Sequence, residues 1–209
     1  MSDDPRFRNI RFDTPDNPSA GLVLYADWIA RAFASVDADQ LCTAIGHLNT
    51  VADAGGQVFM IGNGGSAAIA EHLAADFVKG THVAGANRLR VQALTANSAI
   101  YSAVANDFGF GDVFSRQLRF LADSGDVLVA ISSSGNSPNI LDAVRCAKQM
   151  QMVTIGLCGF NGGALAEAVD TNLHVNAHHY GVVEDVHQSL LHIMSSAIAE
   201  RHDHEAATH

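Results

Sequence analysis

Four side chains in two segments of the chain have the types and spacing to move protons or hold a metal ion. In AEHLAADFVKG (70–80), His72 and Asp76 are four residues apart, which sets them about 40° apart on one face of a helix. In EDVHQSLLH (184–192), Glu184 and His192 are eight residues apart, about 80° in azimuth and roughly 12 Å in rise. One ion or one small molecule touches both of the latter only if another element lies across that helix face. Imidazole and carboxylate are the groups that transfer protons near neutral pH and ligate first-row metals. Taken alone, each histidine reads more readily as a core or interface residue than as a ligand.

Two loops have the composition to receive an oxyanion. The apolar run VFMIG (58–62) leads into GNGGSAA (62–68) and then into helical spacing. Gly62, Gly64 and Gly65 allow positive φ and close approach to a ligand, and Ser66 is a candidate helix cap. Amide groups at such a helix start attract anions. The pattern is neither a P-loop nor GxGxxG, so no nucleotide is implied. By itself the loop reads equally well as a tight strand-to-helix turn. The second loop, SSSGNSPN (132–139), again sits between an apolar run and a helix. Ser132, Ser133, Ser134 and Ser137 supply four hydroxyls, and Pro138 suits a first helical turn because it removes no needed donor.

These loops must be neutral cradles, because the chain carries a formal charge of -10. That field repels phosphate at long range, so local amides and hydroxyls have to do the binding. The same charge, with no Lys/Arg cluster interleaved with aromatics, argues against nucleic acid as a partner. No uninterrupted apolar stretch of about 18 residues is present, which excludes a membrane-spanning helix. The N-terminal MSDDPRFRNIRFDTPDNPSAG lacks the apolar segment of a secretory signal. Cys42, Cys146 and Cys158 are odd in number and widely spaced, the usage of reduced core thiols in the cytoplasm.

The elements that position these groups alternate along the chain. Residues 1–20 hold three of the four prolines and no periodicity, an irregular arm. Helical spacing occupies 22–36 and 41–55. Apolar runs at 58–62, 91–94, 127–132, 153–158 and 172–175 then alternate with helical segments at 66–79, 98–104, 112–122, 139–150 and 184–201. This predicts an α/β fold, a three-layer αβα sandwich with a mainly parallel sheet, in which ligands sit at the carboxyl ends of strands. One domain over 21–201 follows, with 202–209, HDHEAATH, as a disordered and solvated tail despite its histidines.

GNGGSAA, LTANSAIYSAVANDFGFGDVFSRQL (94–118), ISSSGNSPNILDAVRCAK (131–148) and VEDVHQSLLHI (183–193) together resemble, in order and spacing, the phosphoheptose isomerase family of SIS (sugar isomerase) proteins. The resemblance covers roughly 22–200. It implies the SIS fold and substrate contacts from Asn63, Gly64, Gly65, Ser66, Asn106, Asp107, Ser132, Ser133, Ser134 and Ser137, with Asp76 and Glu184 also reaching substrate. It implies a zinc site from His72, Asp76, Glu184 and His192, with Asp76 as base and His192 as acid. Aldose–ketose interconversion passes a proton between neighbouring carbons through an enediol, which needs such a base at carbon and an acid at the carbonyl oxygen. The implied reaction turns D-sedoheptulose 7-phosphate into D-glycero-D-manno-heptose 7-phosphate, the first step of nucleotide-activated heptose synthesis. The resemblance also implies a cytoplasmic homotetramer, its N-terminal helices in the assembly and its active sites at subunit contacts.

The chain departs from the family pattern at two of these positions. The family usually has glutamate where Asp76 stands and glutamine where Glu184 stands. Shortening the base by a methylene shifts a reacting group by about 1 Å, which costs on the order of 100-fold in rate. We expect Glu184 to compensate by supplying charge, and part of the base function. His187 lies about 140° from His192 on the same helix and reads as structural. His174, His178 and His179 precede that helix, in a region the family places near a subunit boundary. Two other readings stay open: a non-catalytic SIS protein that binds a protein partner, as the replication-initiator-associating type does, and a sensor or isomerase for another sugar phosphate. Retention of His72, Asp76, Glu184 and His192 together favours the enzyme.

Overall fold

The computed structural model describes residues 18–208. Helix α1 (Pro18–Ala34) and helix α2 (Ala38–Asp53) come first, α2 being capped by Asp37, whose carboxylate accepts from the Asp39 and Gln40 amides. There follow β1 (Gln57–Gly62), α3 (Gly65–Gly80), β2 (Arg90–Ala93), α4 (Ser98–Phe108), a 3-10 turn (Phe110–Asp112), α5 (Ser115–Leu121) and β3 (Val127–Ser132). The chain closes with α6 (Pro138–Gln149), β4 (Val153–Cys158), α7 (Leu165–Ala168), β5 (Thr171–His174) and α8 (Tyr180–Ala207).

The five strands form one sheet in the order β2-β1-β3-β4-β5, and every pairing is parallel. Side chains alternate across it, so Val58 and Met60 face one core cluster while Phe59 and Ile61 face the other. The first cluster is closed by α1, α2, α3 and α8, the second by α5, α6 and α7 with part of α4. Central strands covered on both faces need continuous apolar sequence, and β3 is buried at all six positions. The α/β three-layer architecture expected from the alternation is therefore the one found. Chain direction through the sheet reverses between β1 and β3, and such a switch point leaves a crevice beyond their carboxyl ends.

Several expectations are corrected in detail. The stretch 202–207 is not a disordered tail: α8 runs through Ala207. His202 there is fully buried, its Nδ1 2.7 Å from the Thr81 carbonyl oxygen, and Arg201 pairs with Asp53 at 2.8 Å and Glu205 at 2.7 Å. Those long-range anchors outweigh the polarity of the segment. Of the arm expected over 1–20, residues 1–17 lie outside the described residues and 18–20 open α1. Cys42 is exposed rather than in the core, whereas Cys146 and Cys158 are buried. Among the described residues no helix is long and apolar enough to cross a membrane.

Candidate active site

The crevice at the switch point is a cavity of about 890 Å³ lined by both sequence-predicted loops. Asn63, Gly64 and Ser66 reach it from the end of β1, and Ser132, Ser133, Ser134 and Ser137 from the end of β3. Gly64 occupies the cap position of α3 with φ 55 and ψ -121, a region open in practice only to glycine. Ser66 is thus not the cap. It lies buried in the first turn, its amide donating to the Asn63 carbonyl at 3.1 Å. Ser137 caps α6 by position without spending its hydroxyl on the helix. The Ser133 hydroxyl is buried and has no hydrogen-bond partner among the described residues.

A third loop holds the serine loop in shape. The Gly159 amide donates to the Ser133 carbonyl (2.8 Å), the Leu165 amide to the Gly135 carbonyl (2.9 Å), and the Ala164 amide to the Asn136 side chain (3.0 Å). Gly135 sits at φ 65, and a Cβ there would strike the Gly162 carbonyl, so only glycine lets the two backbones meet. The two cradle loops are also tied to each other, because the Asn63 and Asn139 side-chain amides exchange hydrogen bonds of 2.9 Å in both directions. Asn136, Asn139, Tyr180 and the 159–165 loop were not anticipated from sequence. The Gly162–Gly163 pair after β4 was the one signal for the last of them.

Glu184 enters this same cavity from α8. Its carboxylate lies so close to Gly65 that a Cβ there would meet Glu184 Oε2 at 2.6 Å. Burial, aided by the neighbouring Asp185 charge, holds the Glu184 carboxyl above the ordinary carboxylate range.

The second group of chemically capable side chains lies between α3 and α8. Asp76 Oδ2 is 3.3 Å from His72 Nε2 and 3.2 Å from His192 Nδ1. The two imidazoles meet edge to face at 5.3 Å between centroids. The ligand atoms of all three residues fall within 4.8 Å of one another. Two nitrogens and a carboxylate oxygen in that compass fit a tetrahedral zinc with one position open. The packing of Leu73 and Phe77 with Leu190, Leu191 and Met194 in one core holds the two helices together beneath them.

The structure thus divides the predicted residues. Asn63, Gly64, Ser66, the four serines and Glu184 meet in the cavity, with Gly65 backing Glu184, while His72, Asp76 and His192 meet between helices. Within this chain Glu184 is not in the three-residue group. Asn106 and Asp107 lie exposed at the end of α4, hydrogen-bonded to each other at 2.8 Å, outside both places. His187 is fully buried, and burial pushes its imidazole down to about 4, leaving it neutral inside the core. His179 caps α8, its ring accepting from the Val182 amide at 3.3 Å, and His174 Nε2 lies 3.1 Å from the Phe160 carbonyl oxygen.

Comparison with known proteins points the same way. The SIS domain family matches residues 25–159. A phosphoheptose isomerase of Syntrophotalea carbinolica is 41% identical over 155 residues, 74% of this chain and 79% of that protein. One from Campylobacter concisus is 43% identical over 146 residues, 70% and 77% respectively. Among solved structures, phosphoheptose isomerase from Neisseria gonorrhoeae superposes with a TM-score of 0.80 at 32% identity, covering 88% of this chain and 97% of that one. The Francisella tularensis enzyme gives 0.81 at 28% identity, over 88% and 99%.

Proposed function

The chain belongs to the SIS domain family, among the phosphoheptose isomerases, and from that premise we propose that it converts D-sedoheptulose 7-phosphate into D-glycero-D-manno-heptose 7-phosphate. The observation that carries this reading is the pairing of a cradle of amides and serine hydroxyls at the ends of β1 and β3 with a His–Asp–His group on α3 and α8. An isomerase of phosphorylated sugars needs both: one place to hold the phosphate, another to move a proton between carbons.

In this mechanism the phosphate rests on the amides of Gly64 and Gly65 and the hydroxyls of Ser132, Ser133, Ser134 and Ser137. Asp76 takes the proton from the carbon beside the carbonyl, and His192 donates to the carbonyl oxygen, giving an enediol. The reverse transfers place the proton on the neighbouring carbon. His72 and His192 hold the Asp76 carboxylate between them and so orient it. Zinc, when bound by His72, Asp76 and His192, supplies Lewis-acid polarisation of a sugar oxygen. Ser66 enters as a contact to the sugar, and Asn106 and Asp107, which lie outside both places within one chain, would reach the sugar hydroxyls only from another copy.

Glu184 joins the zinc and proton-transfer group only from another copy of the chain, since eight residues along α8 separate it from His192 by roughly 12 Å. The reading therefore includes a homotetramer with sites at subunit contacts, assembled through the N-terminal helices. Exposed Leu22 and Val23 on α1, at 72% and 71%, and Ile193 on α8 support apolar contacts of that kind. The product would feed nucleotide-activated heptose synthesis in the cytoplasm. The test is direct: purified protein is incubated with sedoheptulose 7-phosphate, with and without added zinc, and heptose 7-phosphate is followed by phosphorus NMR. Absence of conversion in both conditions removes the isomerase reading.

A further inference from the structure

At the edge of the sheet, apart from the serine cradle but sharing Lys79 with a depression that Asp76 and His192 line, a hollow of about 730 Å³ opens between the end of α3, the following loop and β2. Lys79, His82, Arg88 and Arg90 line it, and no carboxylate does. That concentration of positive charge stands out in a chain of net charge -10 with only 12 lysines and arginines.

The hollow is also organised. Arg90 donates to the Gly55 carbonyl (3.1 Å) and to Gln57 Oε1 (3.2 Å), and the Gln57 amide donates in turn to Gln92 (3.2 Å). These bonds fix the guanidinium on a polar wall. Lys79 and Arg88 have no ion-pair partner among the described residues. Asp53, which Asn87 of their loop touches at 3.2 Å, is taken by Arg201 at 2.8 Å.

A second basic depression shows what a neutralised surface looks like. Between α5 and α6, Arg145 pairs with Asp142, Arg119 bonds Gln149 and Arg116 stacks over Phe108 at 4.4 Å. Asp112 and Asp142 both line that depression. There the charge is answered from within the fold; at the β2 edge it is not.

We infer that the β2-edge hollow is a second anion site, built for the phosphoryl group of a small metabolite. Lysine and arginine recognise phosphate as point charge and as fork. The site is separate from the serine cradle, because the 16 residues of α3, about 24 Å of helix, run between them. The inference stands whether or not the chain isomerises heptose phosphates.

Calorimetric titration of inorganic phosphate into the full chain tests it. The expected result is two classes of site per chain, one weakened at least tenfold by Arg88→Glu and the other by Ser134→Ala with Ser137→Ala. Arg88 lies on an exposed loop without a partner among the described residues, so Arg88→Glu leaves the fold intact by thermal melt; Arg90→Gln, which also frees the Gly55 carbonyl, serves as the second variant. A single class of site, indifferent to both arginine changes, would overturn the inference.

Discussion

The cradle and the His–Asp–His group are built by opposite means. The cradle is a backbone construction: Gly64 in a conformation reserved for glycine, Gly135 pressed against the Gly162 carbonyl, and Asn63 locked to Asn139. The His–Asp–His group is a side-chain construction, three half-exposed residues on two helices whose cores pack regardless of what those residues are. Shape in the first is inseparable from folding; chemistry in the second is nearly independent of it. Substitutions should divide accordingly, stability and substrate affinity changing at the cradle, turnover changing between the helices.

The strongest test of that division is Asp76→Asn. It keeps size and packing but removes the charge between two imidazoles, so turnover should fall about 10³-fold. The melting temperature should stay within the range of an ordinary surface change, about ±0.5 kcal/mol. A parallel collapse of stability would show that the two helices depend on the cluster, and the contrast would fail. Metal content measured alongside should drop as well, because one of the three proposed ligands is lost.

Glu184 stands between the two regions, and Glu184→Gln should separate its roles. We expect turnover to fall about 10²-fold with reduced zinc occupancy; unchanged values for both would rule out compensation for the short Asp76. Stability should move the other way. The folded-state pKa of Glu184 lies above the unfolded one, chiefly through burial, so its charge costs stability as pH rises through the folded value. Glutamine escapes that cost. Thermal melts should therefore favour Glu184→Gln at about pH 7.5, the gain vanishing as pH falls below about 4.5.

At the cradle, Gly64→Ala forces a side chain into φ 55, ψ -121, at a cost of about 1–3 kcal/mol. Chemical denaturation should register it, and the Michaelis constant should rise with it, while the turnover of whatever folds remains close to the parent. An unstrained alanine variant would mean that the loop adapts easily, and the cradle would then not be the rigid partner in the comparison.

Much of this arrangement was legible in the sequence, for identifiable reasons. β1, β3 and β4 are continuous apolar runs because they are buried on both faces, and their glycine or serine endings marked the ligand side of the sheet. α7 escaped notice because its four residues are too few to display a period. The end of α8 reads as a solvated tail because what fixes it, His202 on Thr81 and Arg201 on Asp53, is contributed by residues more than a hundred positions away. The 159–165 loop was invisible as a support for the same reason: its glycines matter only against the backbone of Ser133 to Gly135. Spacing did expose that one ion could touch both Glu184 and His192 only if another element lay across that helix face. It carried no information about which pocket Glu184 would enter.

Ser133 is the finest probe of the contrast. Its hydroxyl is buried without a partner, and a buried unsatisfied hydroxyl costs about 1 kcal/mol or more. A position kept for packing alone would be better served by alanine. Ser133→Ala should thus stabilise the free protein by about 1 kcal/mol, read by chemical denaturation without ligand. It should also raise the Michaelis constant by several-fold with turnover unchanged, since the proposed mechanism makes the hydroxyl a phosphate donor apart from the proton transfers. A stabilised variant with unaltered affinity would make the orphan hydroxyl an accident of packing. A fall in turnover would instead mean that the cradle tightens in the transition state, and the separation between holding and reacting would have to be redrawn.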